Sequence, residues 1–424
     1  VPVTVNPISV ETVDLTGDGA DEICVLFDGS PGSLAIFEND GLGGISQQIT
    51  IPTCDSPTDI TSGDFDADGN NDLAISCSGD LNAGVDGTIT IFYNEDLDLL
   101  NGFENSYVHP FAGSPICLTA VDWDDTPPED LAVGGALSEI TGIWQVLLAS
   151  SLRSGEMTDG PSSNANGIPI DIGGKPEDEE APKDANIRFA GTTNLGNVSV
   201  GKQVFRRSER SIQVDDYVVS SDLRGVVFSD LNNDGRLDIT AVSGLNGQLA
   251  ILFGDLATGD SFSNPTYVNA GTSPSNLVSV DFDQDGNLDL ATITTADDGQ
   301  RIIRVFQNDG NLIFTIVEVG SGEQPVLLDT GDISGNEIAE LVTIGAGTLR
   351  GTGGNGMLSL RTVDGISTCQ GDVNGDAVVD VLDLLDVISA WGPCAGCPED
   401  IDHNGSVDVI DLLAIISAWG ECNS

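Results

Sequence analysis

Six stretches of this chain carry acidic or amide side chains at one fixed spacing, and that spacing limits what the chain can fold into. The clearest runs Asp64-Phe-Asp66-Ala-Asp68-Gly69-Asn-Asn-Asp72-Leu73, with carboxylates at relative positions 1, 3, 5 and 9 and a glycine at 6. Alternate carboxylates on a tight loop point at one centre, and the glycine permits the sharp turn. Hard oxygen donors at this spacing suit Ca2+, with a backbone carbonyl added at position 7. The loop recurs with Asp230, Asn232, Asp234 and Asp238, and again with Asp281, Asp283, Asp285 and Asp289. Looser copies hold Asp14, Thr16, Asp18 and Glu22, and Asp332, Ser334, Asn336 and Glu340. A sixth keeps Asp122, Asp124 and Asp130 but breaks the pattern with Thr126 and Pro127.

The first aspartates are 50, 58, 108, 51 and 51 residues apart. The long step is two ordinary ones, so one unit has lost its loop and the total is seven. Around the Asp64 loop the pattern is all-β: a strand from Asp59 to Phe65, then Leu73 to Cys77, Gly87 to Tyr93 with period two, and Ser106 to Pro110. Four short strands in each unit of about 50 residues, repeated, is the signature of a β-propeller blade. A proline stands seven residues before the first aspartate in five units, at Pro7, Pro57, Pro115, Pro274 and Pro325. Having no N–H to donate, it is expected at the turn between one blade's outer strand and the next blade's inner strand.

In the unit without a loop, Asp171 to Lys183 reads as a charged, degenerate loop region, and Ser150 to Asn166 as a long surface connection. Strands resume at Asn186 to Ala190, Asn197 to Phe205 and Ser211 to Val219. Lys175, Lys183, Lys202, Arg206, Arg207 and Arg210 gather there, either as a solvated face or as a contact for an acidic neighbour. The last unit has three strands, Val326 to Asp332, Ala339 to Ile344 and Gly356 to Val363. The first residues, Val3 to Pro7, are expected to supply its fourth by pairing with Met357 to Val363, or to reach a neighbouring molecule.

Net charge is −54, from 68 acidic and 14 basic residues. That excludes a basic footprint for nucleic acid or for anionic membranes. About eight bound calcium ions would leave −38. No apolar run reaches the 18 or so residues of a membrane span. The start at Val1, the even count of eight cysteines and the calcium loops fit a processed product in an oxidising exterior. With only His109 and His403 present, a histidine-based active site or a zinc site is disfavoured.

Seven units with Asp-x-Asp-x-Asp-Gly-x-x-Asp-Leu loops resemble the FG-GAP/VCBS repeat proteins, whose best-known member is the integrin α-subunit head. The resemblance covers about residues 1 to 366. It implies a seven-bladed propeller with calcium held in the loops on one face.

From Cys369 the spacing changes. Asp372, Asn374, Asp376, Asp380 and Asp383 fill positions 1, 3, 5, 9 and 12 of an EF-hand-like loop, with the position 7 carbonyl from Val378. Asp400, Asp402, Asn404, Ser406, Asp408 and Asp411 repeat it, and each loop leads into an apolar helical segment ending Ile-Ser-Ala-Trp-Gly. Residues 367 to 424 thus resemble a type I dockerin, a small α domain of paired calcium loops. The resemblance implies a cohesin-like partner. Positions 10 and 11, polar in the cellulosomal family, are Val381, Leu382, Val409 and Ile410 here, which offers the chain's own propeller or another copy as the alternative.

Structural disulfides are expected, with Cys369 to Cys422 and Cys394 to Cys397 as first choices in the last module. Among Cys24, Cys54, Cys77 and Cys117 three pairings stand open, Cys54 to Cys77 being one. Almost every carboxylate cluster is explained by calcium spacing, and no hydrolase elbow, metalloprotease motif or phosphate loop appears. Trp391 and Trp419 read as core, whereas Trp123 or Trp144 could stack on a sugar. The expectation is a non-catalytic protein secreted to the exterior or surface of a bacterial cell, working in adhesion or assembly, head-to-tail polymers included. The alternative is a carbohydrate-binding or lyase-like propeller with a glycan ligand.

Overall fold

In the computed structural model most of residues 2–361 are described. Outside the description lie chiefly 41–44, 124–126, 150–155, 175–186, 255–260, 321–323 and 346–355. Beyond 361 it covers mainly 378–379, 381–393 and 406–407. The chain divides into two compact units, residues 1–280 with 287–360, and residues 281–286 with 361–424.

The first unit is built of four-stranded antiparallel sheets, all but one running through their strands in chain order. The sheet around the Asp64 loop is Pro57–Gly63, Asp72–Cys77, Gly87–Phe92 and Ser106–Phe111. Seven such sheets occur among the described residues, and consecutive sheets pack face to face, as in a β-propeller. In the seventh, Pro325–Gly331, Glu340–Gly345 and Gly356–Arg361 are joined by Pro2–Val3, with Pro2 opposite Met357 and Val3 opposite Gly356.

The second strands show why the sheets stack. Glu22–Phe27 is buried at every residue. Ile23, Val25 and Phe27 pack with Ile333, Val342 and Ile344 of the seventh sheet. Cys24 and Leu26, pointing the other way, pack with Ile60, Leu73 and Ile75 of the second. One period-two strand therefore feeds two cores, which is why its sequence is a continuous apolar run rather than an alternation. Each fully buried Ile, Leu or Phe contributes about 1.5–3 kcal/mol of transfer free energy.

The prolines stand at the start of the first strands. Pro7, Pro57 and Pro325 are first residues, and the register slips by one between Pro7 and Ser9, Pro57 and Asp59, Pro115 and Cys117, and Pro325 and Leu327. Strand starts and bulges are the positions where a missing N–H costs no ladder bond.

Two readings of the chain are corrected. The expected surface connection from Ser150 to Asn166 contains a strand, Met157–Ala165, paired with Gly142–Ala149. Asp171 lies in the strand Pro169–Gly174, not in a loop. Cys54 and Cys77 form the disulfide, with Cα atoms 6.1 Å apart, while Cys24 and Cys117 are buried free thiols. The four cysteines from Cys369 onward lie outside the described residues.

Among the described residues of the second unit, a helix, α1, spans Val381–Ser389. Val378–Val379 pairs with Gly420–Glu421, and Gly392–Pro393 pairs with Ser406–Val407, so each half gives a short strand to the other.

Candidate metal loops

Each acidic loop joins the first strand of a sheet to the second. In the Asp64 loop, Asp64 accepts from Asp68 N at 3.1 Å and from Gly69 N at 3.0 Å through its two oxygens. Asp66 also accepts from Asp68 N, at 3.1 Å, and Asp68 accepts from Asn70 N at 2.8 Å. The backbone reverses through two left-handed residues, Ala67 at φ 60° and Gly69 at φ 92°. A Cβ at Gly69 would meet nothing within 4 Å, so the dihedral angle, not space, selects glycine.

The same turn recurs. Asp230 accepts from Asp234 N and Gly235 N at 3.1 and 2.7 Å, Asp281 from Asp285 N and Gly286 N at 3.2 and 2.9 Å, and Asp14 from Gly17 N and Gly19 N at 2.6 and 3.0 Å. Asn232 and Asp283 each accept a second bond from the position 5 N–H, and Asp18 accepts from Ala20 N.

These turns bring donor oxygens together. Asp64, Asp66 and Asp72 offer carboxylate oxygens that all lie within 4.8 Å of one another, as do Asp281, Asp283 and Asp285. Thr16 Oγ1, Asp234 Oδ1 and Asp238 Oδ2 are buried oxygens without a hydrogen-bond partner, at positions 3, 5 and 9 of their loops. An all-oxygen donor set with unsatisfied buried lone pairs fits a hard divalent cation. Asp332 and Ser334 sit in the last loop, where Ser334 Oγ donates to Glu340 at 2.6 Å. Asp122 is described, whereas Asp124 and Asn336 are not. Of the C-terminal ligand positions, Val378 and Ser406 fall in the short strands. No side chain of Asp372, Asn374, Asp376, Asp380, Asp383, Asp400, Asp402, Asn404, Asp408 or Asp411 is described.

Position 9 does more than the spacing suggests. Glu22, Asp72, Asp130, Asp238, Asp289 and Glu340 are all buried. Glu22, Asp72 and Glu340 accept from the position 2 N–H of their own loops, Leu15, Phe65 and Ile333, at 2.8 to 3.0 Å. Asp72, Asp130, Asp238 and Asp289 accept from the N–H at or just beyond the end of the third strand, Asn94, Ala149, Gly254 and Asn308, at 2.7 to 2.9 Å. The carboxylate ties the turn to the sheet whether or not an ion is bound. Burial raises the pKa of Asp72 to about 8 and of Asp238 to about 7, with the neighbouring loop carboxylates adding to the rise. A bound cation would reverse that preference for the neutral form.

Position 8 links neighbouring loops. Asp21 donates its N–H to Asp332 O and accepts from Asp332 N through its carboxylate, both at 2.8 Å. Glu129 makes the same bracket with Asp64, at 3.0 and 2.9 Å, and Asn71 donates to Asp14 O at 3.0 Å. A second tie runs, in three of the sheets, from the third strand or its end to the position 2 carbonyl of the preceding loop. Asn94 donates to Leu15 O at 2.8 Å, Asn308 to Leu231 O at 2.7 Å, and Gln203 to Trp123 O. Loop spacing alone did not single out these residues. The position 8 residues do recur at one fixed offset from the first aspartate, and that recurrence is the signal that would have found them.

The sheet without a loop puts a cation into the chain itself. In the second sheet Pro57 pairs with Cys77 and Gly63 with Asp72. In the fourth, Pro169 pairs with Thr193 and Gly174 with Phe189, so Arg188 takes the register of position 9. It is buried and donates to Gln203 Oε1 at 3.4 Å, the residue that holds Trp123. Lys202 is buried too, paired with Asp215 at 2.7 Å. The basic cluster is therefore not an open face at Lys202. Trp123 and Trp144 are fully buried, Trp144 lying against Phe189 at 5.5 Å in space left by Gly134 and Gly191, so neither is a sugar platform. Trp391, expected in a core, is 53% exposed.

Known proteins resemble this arrangement in two ways. Residues 14–75 and 230–292 match the FG-GAP-like repeat, the two segments that carry the best acidic loops. Those two segments are FG-GAP-like repeats, set in a β-propeller arrangement. Two solved structures are similar over most of their length. One is a crystal structure of BBS1N in complex with ARL6DN, soaked with lead, at 15% identity and TM-score 0.55, covering 84% of this chain and 92% of that one. The other is the same complex soaked with mercury, also at 15% and 0.55, covering 85% and 94%. The likeness is one of fold. No curated protein matches the chain.

Proposed function

We propose that this chain is a secreted, non-catalytic assembly or adhesion protein, a seven-bladed propeller locked by calcium and joined to a dockerin-like module. The observation that carries the calcium reading is the set of converging oxygens. Asp64, Asp66 and Asp72 crowd within 4.8 Å, and Thr16, Asp234 and Asp238 hold buried oxygens without donors. Asp14, Thr16, Asp18 and Glu22 would hold one ion, and the Asp64, Asp230, Asp281 and Asp332 sets one each. A bound ion supplies charge compensation there. The chain's own residues close the turn and tie it to the neighbouring loop.

The ring reading is supported by Pro2–Val3 beside Gly356–Arg361 and by Thr12 Oγ1 donating to Asp329 at 3.0 Å, both joining the two ends of the first unit. The reciprocal short strands at Val378–Val379 and Ser406–Val407 support a paired module in which Asp372 to Asp383 and Asp400 to Asp411 bind two further ions. Its partner is a cohesin-like module or another copy of the chain. The glycan reading loses Trp123, Trp144 and Lys202 to burial.

Sedimentation of the full chain at rising concentration, with calcium and with chelator, tests the assembly role. Calcium-dependent oligomers support it. A monomer throughout removes self-assembly and leaves a foreign partner.

A further inference from the structure

Position 8 residues tie four acidic loops into one train. Glu129 of the Asp122 loop brackets Asp64, accepting from Asp64 N at 2.9 Å and donating its own N–H to Asp64 O at 3.0 Å. Asn71 of the Asp64 loop donates to Asp14 O at 3.0 Å, and Asp21 of the Asp14 loop brackets Asp332 at 2.8 Å in both directions. In each case the residue held is the first ligand position of another loop. The residue that holds it stands between the position 7 carbonyl and the position 9 carboxylate of its own loop, two further ligand positions. Asn94 doubles the middle joint. Its N–H donates to Asp72 at 2.8 Å, and its amide donates to Leu15 O at 2.8 Å and to Asn71 O at 3.2 Å.

Room for the two carboxylate brackets is built into the first strands. A Cβ on Gly63 would clash with Glu129 Oε2, and one on Gly331 with Asp21 Oδ2, so each carboxylate lies against the glycine that precedes a first aspartate. In the other four loops that place holds Val13, Val121, Ser229 and Val280. The train also has an end. Position 8 is Leu237, Leu288 and Ala339 in the Asp230, Asp281 and Asp332 loops, side chains that can neither donate nor accept a hydrogen bond.

We infer that the Asp332, Asp14 and Asp64 loops load calcium as one cooperative unit, with Asp21 and Asn71 as the positioning residues that couple them. The inference deepens the calcium reading above and rests on it. In an empty loop like charges repel across the turn. An ion draws positions 1, 7 and 9 to one centre and so fixes the position 8 residue between them. That residue then holds the backbone of a neighbouring first aspartate in place, and part of the second loop is ordered before its ion arrives. The coupling is reciprocal, as linkage requires. Electrostatics oppose it, since a bound cation weakens the negative potential that draws the next one. Salt screens that opposition beyond about 10 Å at 0.1 M and leaves the hydrogen bonds in place, so positive coupling wins and grows with ionic strength.

The test counts the calcium ions on the full chain by native mass spectrometry as free calcium rises. Asp18 is an exposed ligand position of the Asp14 loop and takes no part in the brackets. Asp18→Ala is expected to abolish one ion and to move two others to about five- to tenfold higher free calcium. In an Asp21→Ala background the same change is expected to move only one other ion, that of the Asp64 loop. Asp21→Asn, which keeps an acceptor oxygen, is expected to restore the second. Circular dichroism in saturating calcium checks that each variant folds, and the count for Asp18→Ala alone decides the inference where Asp21→Ala does not. Loss of one ion with no other moved means independent loops and overturns the inference while the calcium reading stands. Two other ions still moving in the Asp21→Ala background overturns the role given to Asp21. An unaltered chain that binds no calcium overturns both readings.

Discussion

Asp21 and Asp332 are 311 residues apart in sequence and form a two-way bracket, the carboxylate of Asp21 accepting from Asp332 N while Asp21 N donates to Asp332 O, both at 2.8 Å. The bracket joins the first and seventh sheets beside two acidic loops. Asp21→Ala removes the acceptor and is expected to cost about 1–3 kcal/mol, whereas Asp21→Asn keeps an acceptor oxygen and costs less. Urea denaturation in saturating calcium measures both. Equal losses for Ala and Asn would show that the acceptor role is not what matters.

The turn itself predicts a stabilising change. Ala67 holds φ 60°, a conformation that costs an L residue roughly 1–2 kcal/mol. Ala67→Gly removes that cost and adds some unfolded-chain entropy, for a net gain of about 0.5 kcal/mol. Gly69→Ala, at φ 92°, is expected to lose about 1 kcal/mol or more with no clash to blame. Paired melting curves with calcium decide this, and a loss for Ala67→Gly or a gain for Gly69→Ala would refute the strain argument.

A row of carboxyls on the first strands predicts a pH dependence separate from calcium. Glu11 accepts from Ser62 N and Oγ at 2.9 and 2.7 Å, and Asp59 accepts from Ser9 Oγ at 2.8 Å and Leu118 N at 3.1 Å. Asp171 accepts from Val226 N at 2.9 Å and Asp329 from Thr12 Oγ1 at 3.0 Å, so each spans a seam between sheets. Burial, then repulsion from Asp59, raises Asp171 to about 7, and burial raises Asp59 to about 6. Glu11 and Asp329 face each other electrostatically and are likewise raised, burial first. An acid with a raised folded pKa binds more protons folded than unfolded. Its stabilisation is complete below the unfolded pKa near 4 and is lost as pH rises through the folded values, here across about pH 5 to 8. Glu11→Gln, which cannot ionise, is expected to gain on the unaltered chain as pH climbs from 5 to 8 at saturating calcium. Parallel melting curves would contradict this.

Arg188 replaces an acid by a cation in the position 9 register. Arg188→Met is expected to cost about 3 kcal/mol, since buried neighbours lose a charged donor. The loss should be the same with calcium and with chelator, because the segment from Asp171 to Lys183 lacks the 1-3-5-9 ligand spacing. A loss seen only with calcium would place an ion there after all.

Much of the fold was legible because the acidic loop is both chemical and periodic: its recurrence counts units, and a buried second strand such as Leu73 to Cys77 announces itself as an apolar run. The strand Met157–Ala165 was not legible. Its sequence, MTDGPSSNA, has no β-branched pattern except one threonine, and it is a strand because Gly142–Ala149 offers it a partner. The ties at position 8 were hidden for a different reason. Asp21 and Glu129 are carboxylates and Asn71 an amide, so what all three share is a place, and their partners lie in another unit of the repeat. Trp123 and Trp144 looked available because burial between sheets depends on packing that composition does not reveal.

The central claim is that calcium holds the loops closed, and thermal melting of the full chain with excess calcium and with EGTA tests it most directly. An ion bound only by the native state at 100 times its Kd adds about 2.7 kcal/mol. With several such loops, chelation is expected to lower Tm by about 10 °C or more. An unchanged Tm would contradict the account.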